Sequence, residues 1–332
     1  MQQIDHKKCA LVLSGGAVWG SFQVGVLDYL INVLNADFNG FYGISVGALN
    51  TSLLVGASEN GIKHEFNILK EVWTGIKKNK DIYKRRIHIL PAELGALFQS
   101  IYIPKGLKKI LSRYITNDVR DRIFSSDREL SIGVVSMEDG KINYLRNHGH
   151  DQTQLNEWKT QLSEYILASS SMPVLLPPVE LTIDGDQKLC FDGGLRDVSP
   201  LGAAFKAEKY SDIFVINCSS ASVNPRSRDK LKNGLGYLKR GLDIMNSETI
   251  KADINQAKLI SNICKSLNLS EIEIDSRVYK DVNLHIVDLN ISETKEFKFN
   301  HALDFDPEKI KKHIDYGFEY AKNLFEGKIS FI

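Results

Sequence analysis

A serine with a glycine two residues away on each side stands near the start of the chain, in Gly43-Ile44-Ser45-Val46-Gly47. An apolar run precedes this serine and an apolar helical pattern follows it, which is the context in which Gly-x-Ser-x-Gly forms a nucleophile elbow. The hydroxyl would project between the end of a strand and the start of a helix, whose dipole favours developing negative charge. The alternative is a tight glycine turn in which Ser45 only caps the helix.

A nucleophilic serine needs a base, and the sequence offers an aspartate. Phe191-Asp192-Gly193-Gly194 places a carboxylate at the end of an apolar strand pattern, and the two glycines let another backbone approach it. Apolar surroundings raise the pKa of a carboxylate, so Asp192 could take the serine proton without an imidazole. The alternative is an aspartate that begins a turn, which is the commoner place for Asp-Gly-Gly.

Histidine is the usual partner of a nucleophilic serine, but no histidine after Ser45 follows an apolar strand in a turn of small residues. His148 and His150, in Arg-Asn-His-Gly-His-Asp, come nearest to this description. Their segment is typical of a polar surface loop, so we do not expect a catalytic histidine.

A glycine-rich stretch at 11–22, LVLSGGAVWGSF, could bind an anion. Gly15 and Gly20 have the spacing of a phosphate loop, but no lysine separates Gly20 from Ser21, which argues against an NTPase. The dinucleotide pattern Gly-x-Gly-x-x-Gly also fails, because Ser14 and Ala17 occupy positions that need glycine. What remains is a strand–turn–helix junction whose amide groups suit an oxyanion as well as a phosphate, or a turn with a structural role alone.

Alternating strands and helices must position these motifs. Apolar runs predict strands at 9–14, 130–137, 141–146, 212–218 and 282–289. Helical periodicity predicts helices at 19–35, 62–77, 154–169, 230–267 and 307–325. Alternating apolar residues on both sides of Asp184-Gly185 predict a hairpin. The alternation of the two element types predicts an α/β fold with a mainly parallel sheet covered on both faces.

The three motifs, in this order, resemble those of the patatin-like phospholipase family. In that family a Gly-Gly-Gly-x-Arg-Gly loop supplies the oxyanion hole, Gly-x-Ser-x-Gly the nucleophile, and Asp-Gly-Gly or Asp-Gly-Ala the other half of a Ser–Asp dyad. Here LSGGAVWGSFQVGVLDYL is similar to the first, GISVGALN to the second and FDGGLRDVSPL to the third. The segment ASSSMP at 168–173 is similar to the Ala-Ser-x-x-x-Pro that the family places before its aspartate. The resemblance runs from about residue 11 to about residue 201.

This resemblance implies a three-layer α/β/α patatin-like fold with a mainly parallel central sheet. It also implies one domain over 1–332, with a motif-bearing core at about 8–220 and a C-terminal extension at about 221–332. The implied activity is that of a lipid acyl hydrolase, a serine carboxylic-ester hydrolase of phospholipase A or lysophospholipase type that needs no metal or cofactor. The residues that would carry it are Ser45 as nucleophile, Asp192 as base, the amides of Gly15, Gly16 and Ala17 as oxyanion hole, and the supporting glycines Gly20, Gly43, Gly47, Gly193 and Gly194.

Two residues depart from the family pattern. Ala17 stands in place of the third glycine of the loop and keeps its N–H, so a backbone oxyanion hole survives if the φ of Ala17 is negative. Trp19 stands in place of the arginine, which removes a cation near the site. Trp19 would either offer an aromatic face to an acyl chain or head group, or mark a weakened oxyanion hole.

The segment 77–113 is rich in basic residues, with ten Lys or Arg against Asp81 and Glu93. An apolar run lies between its basic clusters. We expect its cations to meet anionic head groups while the apolar side chains enter the interface, namely those of Leu94, Leu97, Phe98, Ile101 and Tyr102. The alternative is a solvated charged face with an apolar helix packed in the core.

Bulk composition excludes several other classes of protein. The chain has 332 residues, of which 43% are hydrophobic and 25% are charged, so it has the composition of a globular protein. A formal net charge of +1 gives no global attraction to nucleic acid. The four cysteines have no zinc or Cys-x-x-Cys spacing, which predicts buried reduced thiols in a cytoplasmic protein. No stretch is apolar and long enough to span a bilayer, so membrane contact, if any, would be peripheral, at the inner surface.

Two other functions stay open at the level of sequence. One is an acyltransferase or thioesterase that acts on acyl-thioesters, although the transacylases of similar fold pair their serine with a histidine. The other is a binding or regulatory protein whose oxyanion hole has decayed.

Overall fold

The computed structural model describes residues 1–56, 61–86, 100–205, 209–219, 234–269, 271–274, 277–289 and 303–331. The strands in these ranges are β1 (Gln2–Ile4), β2 (Cys9–Leu13), β3 (Gly40–Gly43), β4 (Lys84–Arg85), β5 (Tyr102–Ile103), β6 (Glu129–Ser136), β7 (Ile142–Arg146), β8 (Val179–Ile183), β9 (Asp186–Asp192), β10 (Asp212–Asn217), β11 (Glu271–Ile274), β12 (Arg277–Lys280), β13 (Asn283–Asp288) and β14 (Ile329–Phe331). The α-helices are α1 (Gly20–Asp28), α2 (Val46–Val55), α3 (Gly61–Gly75), α4 (Lys105–Tyr114), α5 (Asn117–Ser125), α6 (Gln152–Thr160), α7 (Leu162–Ser169), α8 (Leu201–Phe205), α9 (Gly234–Ser266) and α10 (Pro307–Phe325).

A mainly parallel sheet forms the centre of the fold. Strands β13, β10, β2, β3 and β6 lie side by side in this order and are all parallel. Strand β9 pairs antiparallel with β6, β8 pairs with β9, and β7 also pairs with β6. The predicted α/β class with a mainly parallel sheet is therefore confirmed.

Helices cover both faces of this sheet. The apolar side chains of β2 alternate between two cores: Cys9, Leu11 and Leu13 face one, and Ala10 and Val12 face the other. The first core contains residues of α1, α2, α3 and α10, and the second contains residues of α8 and α9. Because strands buried on both faces are apolar throughout, β2 shows no polar alternation in the sequence. The three-layer α/β/α arrangement is confirmed.

The predicted elements lie within a few residues of the observed ones, with one clear exception, whereas α4 and α5 were not predicted. The hairpin of β8 and β9 turns at Asp184 and Gly185, both with positive φ (54° and 83°), as two-residue hairpin turns require. The helix predicted at 154–169 is instead two helices, α6 and α7, separated at Gln161. The Gln161 side chain accepts from Thr182 N at 2.8 Å and donates to Thr182 O at 3.4 Å, which ties the break to β8.

Residues beyond 201 complete the same sheet and contribute to both helical layers. Strand β13 forms the edge of the sheet next to β10, and α10 packs along α1. All four cysteines are buried and none is bonded to another. In the described ranges, no helix has the length and apolar character needed to cross a membrane.

Candidate active site

Ser45 lies in a strained turn between β3 and α2, with φ 56° and ψ −124°. The flanking glycines are required by close backbone contacts. A Cβ at Gly47 would lie 2.1 Å from Leu13 O, and a Cβ at Gly43 would lie 2.5 Å from Gly47 O. Real side chains cannot occupy either place, so the turn has the geometry that the Gly-x-Ser-x-Gly pattern predicts. The hydroxyl lies at the carboxyl edge of the parallel sheet, where ligands bind in open α/β folds.

Three consecutive serines fix the backbone of this turn. Ser45 N donates to Ser169 Oγ at 2.9 Å, and Ser169 Oγ donates to Gly133 O at 2.7 Å. Ser170 Oγ lies 3.3 Å from Ser45 O. The carbonyl of Ser171 accepts from the amide of Asp192 at 3.0 Å. The family resemblance included this segment but assigned it no role. The contacts indicate that it holds the site in place, because it forms hydrogen bonds with the backbone of both Ser45 and Asp192.

Asp192 ends β9 and is only 2% exposed. Its Oδ1 accepts from Gly194 N at 2.8 Å, and its carboxylate interacts with the Ser45 side chain. Burial raises the pKa of Asp192 to about 7, against the opposing effect of the hydrogen bonds from Ser45 and the Gly194 amide. A carboxylate with this pKa is a much better proton acceptor at neutral pH than an ordinary aspartate. The hydrogen bond from the Gly194 amide to Asp192 is also the turn that the alternative hypothesis predicted. Asp192 therefore both begins a turn and lies beside Ser45.

The glycine loop passes directly beside Ser45. A Cβ at Gly15 would lie 3.1 Å from Ser45 Cβ, so a small residue is needed there. The Gly15 amide donates to Val198 O at 3.0 Å and is therefore already used. Among the described residues, no acceptor is found for the amides of Gly16 and Ala17. Of the three predicted oxyanion donors, these two have amides available for a substrate.

Ala17 does not meet the condition that we set for it, a negative φ. Its φ is +52°, in the left-handed region that glycine adopts without strain. The loop therefore keeps the turn that a third glycine would make, and the alanine adopts it at a cost of about 1–2 kcal/mol.

Trp19 is buried, which argues against the alternative in which it faces an acyl chain or head group. The side chain is 2% exposed, and its ring centroid lies 4.6 Å from that of His313 in α10. The arginine of the family pattern is thus replaced by a residue that belongs to the core. His313 is separated from Trp19 by almost the whole chain, so no local signal could have linked them.

A buried polar network, which the sequence did not reveal, holds the start of α1. Gln23 Nε2 donates to Ser14 O at 3.0 Å and to Ile216 O at 3.1 Å. Asn50 Nδ2 donates to Gln23 Oε1 at 2.9 Å, and Trp73 Nε1 donates to Asn50 Oδ1 at 2.9 Å. The network joins α1, α2 and α3 to the ends of β2 and β10, next to the glycine loop.

The histidines considered as bases have other partners. His148 Nε2 lies 3.0 Å from Arg128 O, and the ring of His150 packs edge-on against Trp158.

Two exposed apolar side chains follow, in sequence, the serine segment and Asp192. Val174, three residues after Ser171, is 56% exposed, and Leu195, three residues after Asp192, is 37% exposed. The segment that carries Val174 is hydrogen-bonded to the basic segment, since Ile101 N donates to Val174 O at 2.9 Å.

In the sequence, the cations of the basic segment both precede and follow Ile101, the residue that donates to Val174. Strands β4 and β5 pair antiparallel, and α4 follows β5. The exposed cations of the segment are Lys77, Lys78, Lys80, Lys84, Arg85, Lys105, Lys108, Lys109 and Arg113. Ile101 and Tyr102 are half-buried. Leu94, Leu97 and Phe98, which we expected to enter an interface, lie outside the described residues.

These features define a class of protein: a three-layer α/β protein with a serine at a strand-to-helix elbow, a buried carboxyl beside it and a glycine loop at the same sheet edge. The model of the Patatin-like phospholipase family matches residues 11–205, and the chain belongs to this family. Membership suggests lipid acyl hydrolase activity. No curated protein matches the chain.

Among solved structures, the chain is similar to VipD from Legionella pneumophila, with 14% sequence identity and a TM-score of 0.43. The similarity covers 96% of this chain and 66% of the VipD chain. The present chain thus spans just under two thirds of the length of that protein.

Proposed function

We propose that the protein is a lipid acyl hydrolase of phospholipase A or lysophospholipase type, with Ser45 as nucleophile and Asp192 as base. The observation that carries the proposal is the placement of the Ser45 side chain against a buried carboxylate, whose pKa burial raises to about 7. An aspartate of ordinary pKa would be a poor acceptor for a serine proton. Family membership supplies the substrate class.

The proposed reaction has two stages. In the first, Asp192 takes the proton of Ser45 as Oγ attacks the ester carbonyl carbon, and the amides of Gly16 and Ala17 stabilise the oxyanion. The carbon–oxygen bond to the leaving alcohol then breaks, and that alcohol takes the proton from Asp192. In the second stage, Asp192 accepts a proton from water as the water attacks the acyl-enzyme. Collapse of the second tetrahedral intermediate frees the fatty acid and returns the proton to Ser45.

The test is hydrolysis of phospholipid and lysophospholipid by the wild type, Ser45→Ala, Asp192→Asn and a control, Ser125→Ala, at an exposed serine of α5 outside the basic segment. We expect the first two variants to lose at least about 1,000-fold in kcat/KM and the control to match the wild type. A fluorophosphonate probe should label the wild type and the control but not Ser45→Ala. Retained hydrolysis in Ser45→Ala would overturn the proposal. Release of acyl groups from acyl-CoA alone would identify a thioesterase or transferase, and absence of both labelling and hydrolysis would identify a binding protein.

We also propose that the basic segment 77–113 contacts an anionic lipid surface, at which the protein is peripheral. Its exposed cations outnumber nearby acids, and the carboxylate of Asp81 is occupied by the amides of Lys77 and Lys78 at 2.9 and 3.1 Å. Each lysine near such a surface contributes roughly 1 kcal/mol. The double variant Lys108→Ala, Lys109→Ala should therefore bind anionic vesicles about 30-fold more weakly.

A matched control carries Lys258→Ala and Lys311→Ala, at exposed lysines of α9 and α10. We expect this control to bind anionic vesicles as the wild type does in co-sedimentation. Equal binding of the wild type to neutral and anionic vesicles would overturn the membrane proposal and leave the hydrolase proposal intact.

A further inference from the structure

His313 connects α10 to the beginning of α1 through a buried hydrogen bond. Ser21 Oγ donates to Val18 O at 2.7 Å and lies 2.9 Å from His313 Nδ1. A hydroxyl has one hydrogen and can accept through its lone pairs, so Ser21 accepts from His313 and Nδ1 carries a hydrogen. Both side chains are buried, which makes loss of either partner costly.

The same imidazole packs against the end of the glycine loop. The rings of Trp19 and His313 are tilted by 39°. Trp19 ends the 3-10 turn Ala17–Trp19, and its amide donates to Gly16 O at 3.1 Å. His313 therefore supports this turn twice, through the Trp19 ring and through the Ser21 hydroxyl that bonds Val18 O. The turn begins at the two amides that we assign to the oxyanion.

Backbone contact fixes α10 against α1. A Cβ at Gly25 would lie 2.0 Å from Ile314 O, and a Cβ at Gly317 would lie 2.3 Å from Phe22 O. Two glycines thus let the helices approach to backbone distance beside His313. The helix cannot shift without losing this packing, so the position of the imidazole is well defined.

The turn itself needs such support, because Ala17 is held at a φ of +52°. A strained conformation of this kind persists only where the surrounding structure determines it. His313 lies outside the residues 11–205 that match the family, and Trp19 departs from the family arginine. The contact between them is a feature of this chain.

We propose that His313 is a positioning residue, which holds Trp19 and Ser21 so that the amides of Gly16 and Ala17 point at the oxyanion. The inference rests on the proposed hydrolase function and deepens it. His313 does not touch the substrate, so its removal should lower kcat and leave KM nearly unchanged, as expected for an interaction that matters only in the transition state.

The test compares five variants with the wild type. His313→Ala should lower kcat by about 10- to 100-fold, less than the loss of a whole oxyanion donor, with KM within about twofold. His313→Asn places an amide nitrogen close to the position of Nδ1 and should recover part of this loss. Ser21→Ala removes the acceptor, and the double variant Ser21→Ala, His313→Ala should lose less than the product of the two single losses. The control Phe318→Ala removes another contact of α10, the edge-on packing on Tyr29, which directly follows α1, and should keep the wild-type kcat.

Three results would overturn the positioning role: a kcat of His313→Ala equal to that of the wild type, a rise in KM alone, or an equal fall in kcat in Phe318→Ala. If His313→Ala does not fold, the comparison of His313→Asn with Ser21→Ala decides, and equal wild-type kcat in both overturns the role. Failure of the hydrolase proposal is distinct, because the wild type would then hydrolyse no lipid ester and bind no fluorophosphonate.

Discussion

Replacing Asp192 by asparagine should abolish hydrolysis and make the protein more stable at neutral and alkaline pH. The substitution removes the charge and keeps the size and shape of the side chain. An asparagine oxygen can still accept from Gly194 N, so the turn after β9 is retained. The change in stability should depend on pH, because only the ionised carboxylate is penalised by burial.

The magnitude follows from the raised pKa. Burial moves the pKa of Asp192 from an ordinary value of 3.8 to about 7. Because the folded state binds this proton more tightly than the unfolded state, the wild type loses stability as pH rises through this interval. At 1.36 kcal/mol for each pKa unit, the ionised form disfavours folding by on the order of 4 kcal/mol above pH 7. The advantage of Asp192→Asn over the wild type should grow by about 3 kcal/mol between pH 4.5 and pH 8.

Urea denaturation at pH 4.5, 6 and 8, followed by tryptophan fluorescence, measures this difference. The control is Asp186→Asn, because Asp186 is an exposed aspartate at the other end of β9. Its difference from the wild type should stay within about 0.5 kcal/mol at every pH, as for most surface substitutions. A constant difference between Asp192→Asn and the wild type would refute the reasoning, since it would mean that the carboxylate is not desolvated.

Three further predictions concern the same site. The rate of fluorophosphonate labelling should fall about tenfold for each pH unit below about 7, because protonated Asp192 cannot accept the Ser45 proton; a flat profile from pH 5 to 8 would exclude Asp192 as the base. Ala17→Gly should relieve the left-handed strain and, after the entropy cost of glycine, stabilise the protein by about 0.5–1 kcal/mol in thermal unfolding without loss of activity; destabilisation would show that the alanine is unstrained. Trp19→Arg, which restores the family residue, should destabilise the protein by about 3 kcal/mol or more because it buries an unpaired charge; an unchanged melting temperature would contradict the burial of this position.

The geometry of the candidate site was predictable where it depends on short patterns. The elbow at Ser45 follows from two glycines that no side chain could replace, and the hairpin before Asp192 follows from an Asp-Gly turn between alternating residues. These features depend on residues that are neighbours in the chain, so a stretch of a few residues is enough to predict them. The parallel sheet followed in the same way, from short apolar runs between helical segments.

Other features depend on partners far along the chain and could not be read locally. The Gly15 amide is used by Val198, which the glycine pattern could not reveal. The sequence left open a contact between Trp19 and the substrate, because the partner of Trp19, His313, belongs to α10 and is far away in the chain. The break between α6 and α7 is set by Thr182, twenty-one residues later. Each of these contacts is made by tertiary packing, which overrides local preference.

The serine segment at the end of α7 has a consequence for engineering of this protein. It bonds to the backbone of Ser45 and Asp192, and it continues through Val174 and Leu175 into backbone hydrogen bonds with Ile101 and Tyr102, both at 2.9 Å. The basic segment and the candidate pair Ser45 and Asp192 are therefore linked through backbone hydrogen bonds and are not interchangeable modules. A loop grafted from another protein to alter lipid preference would have to preserve those two hydrogen bonds, or turnover would change together with adsorption.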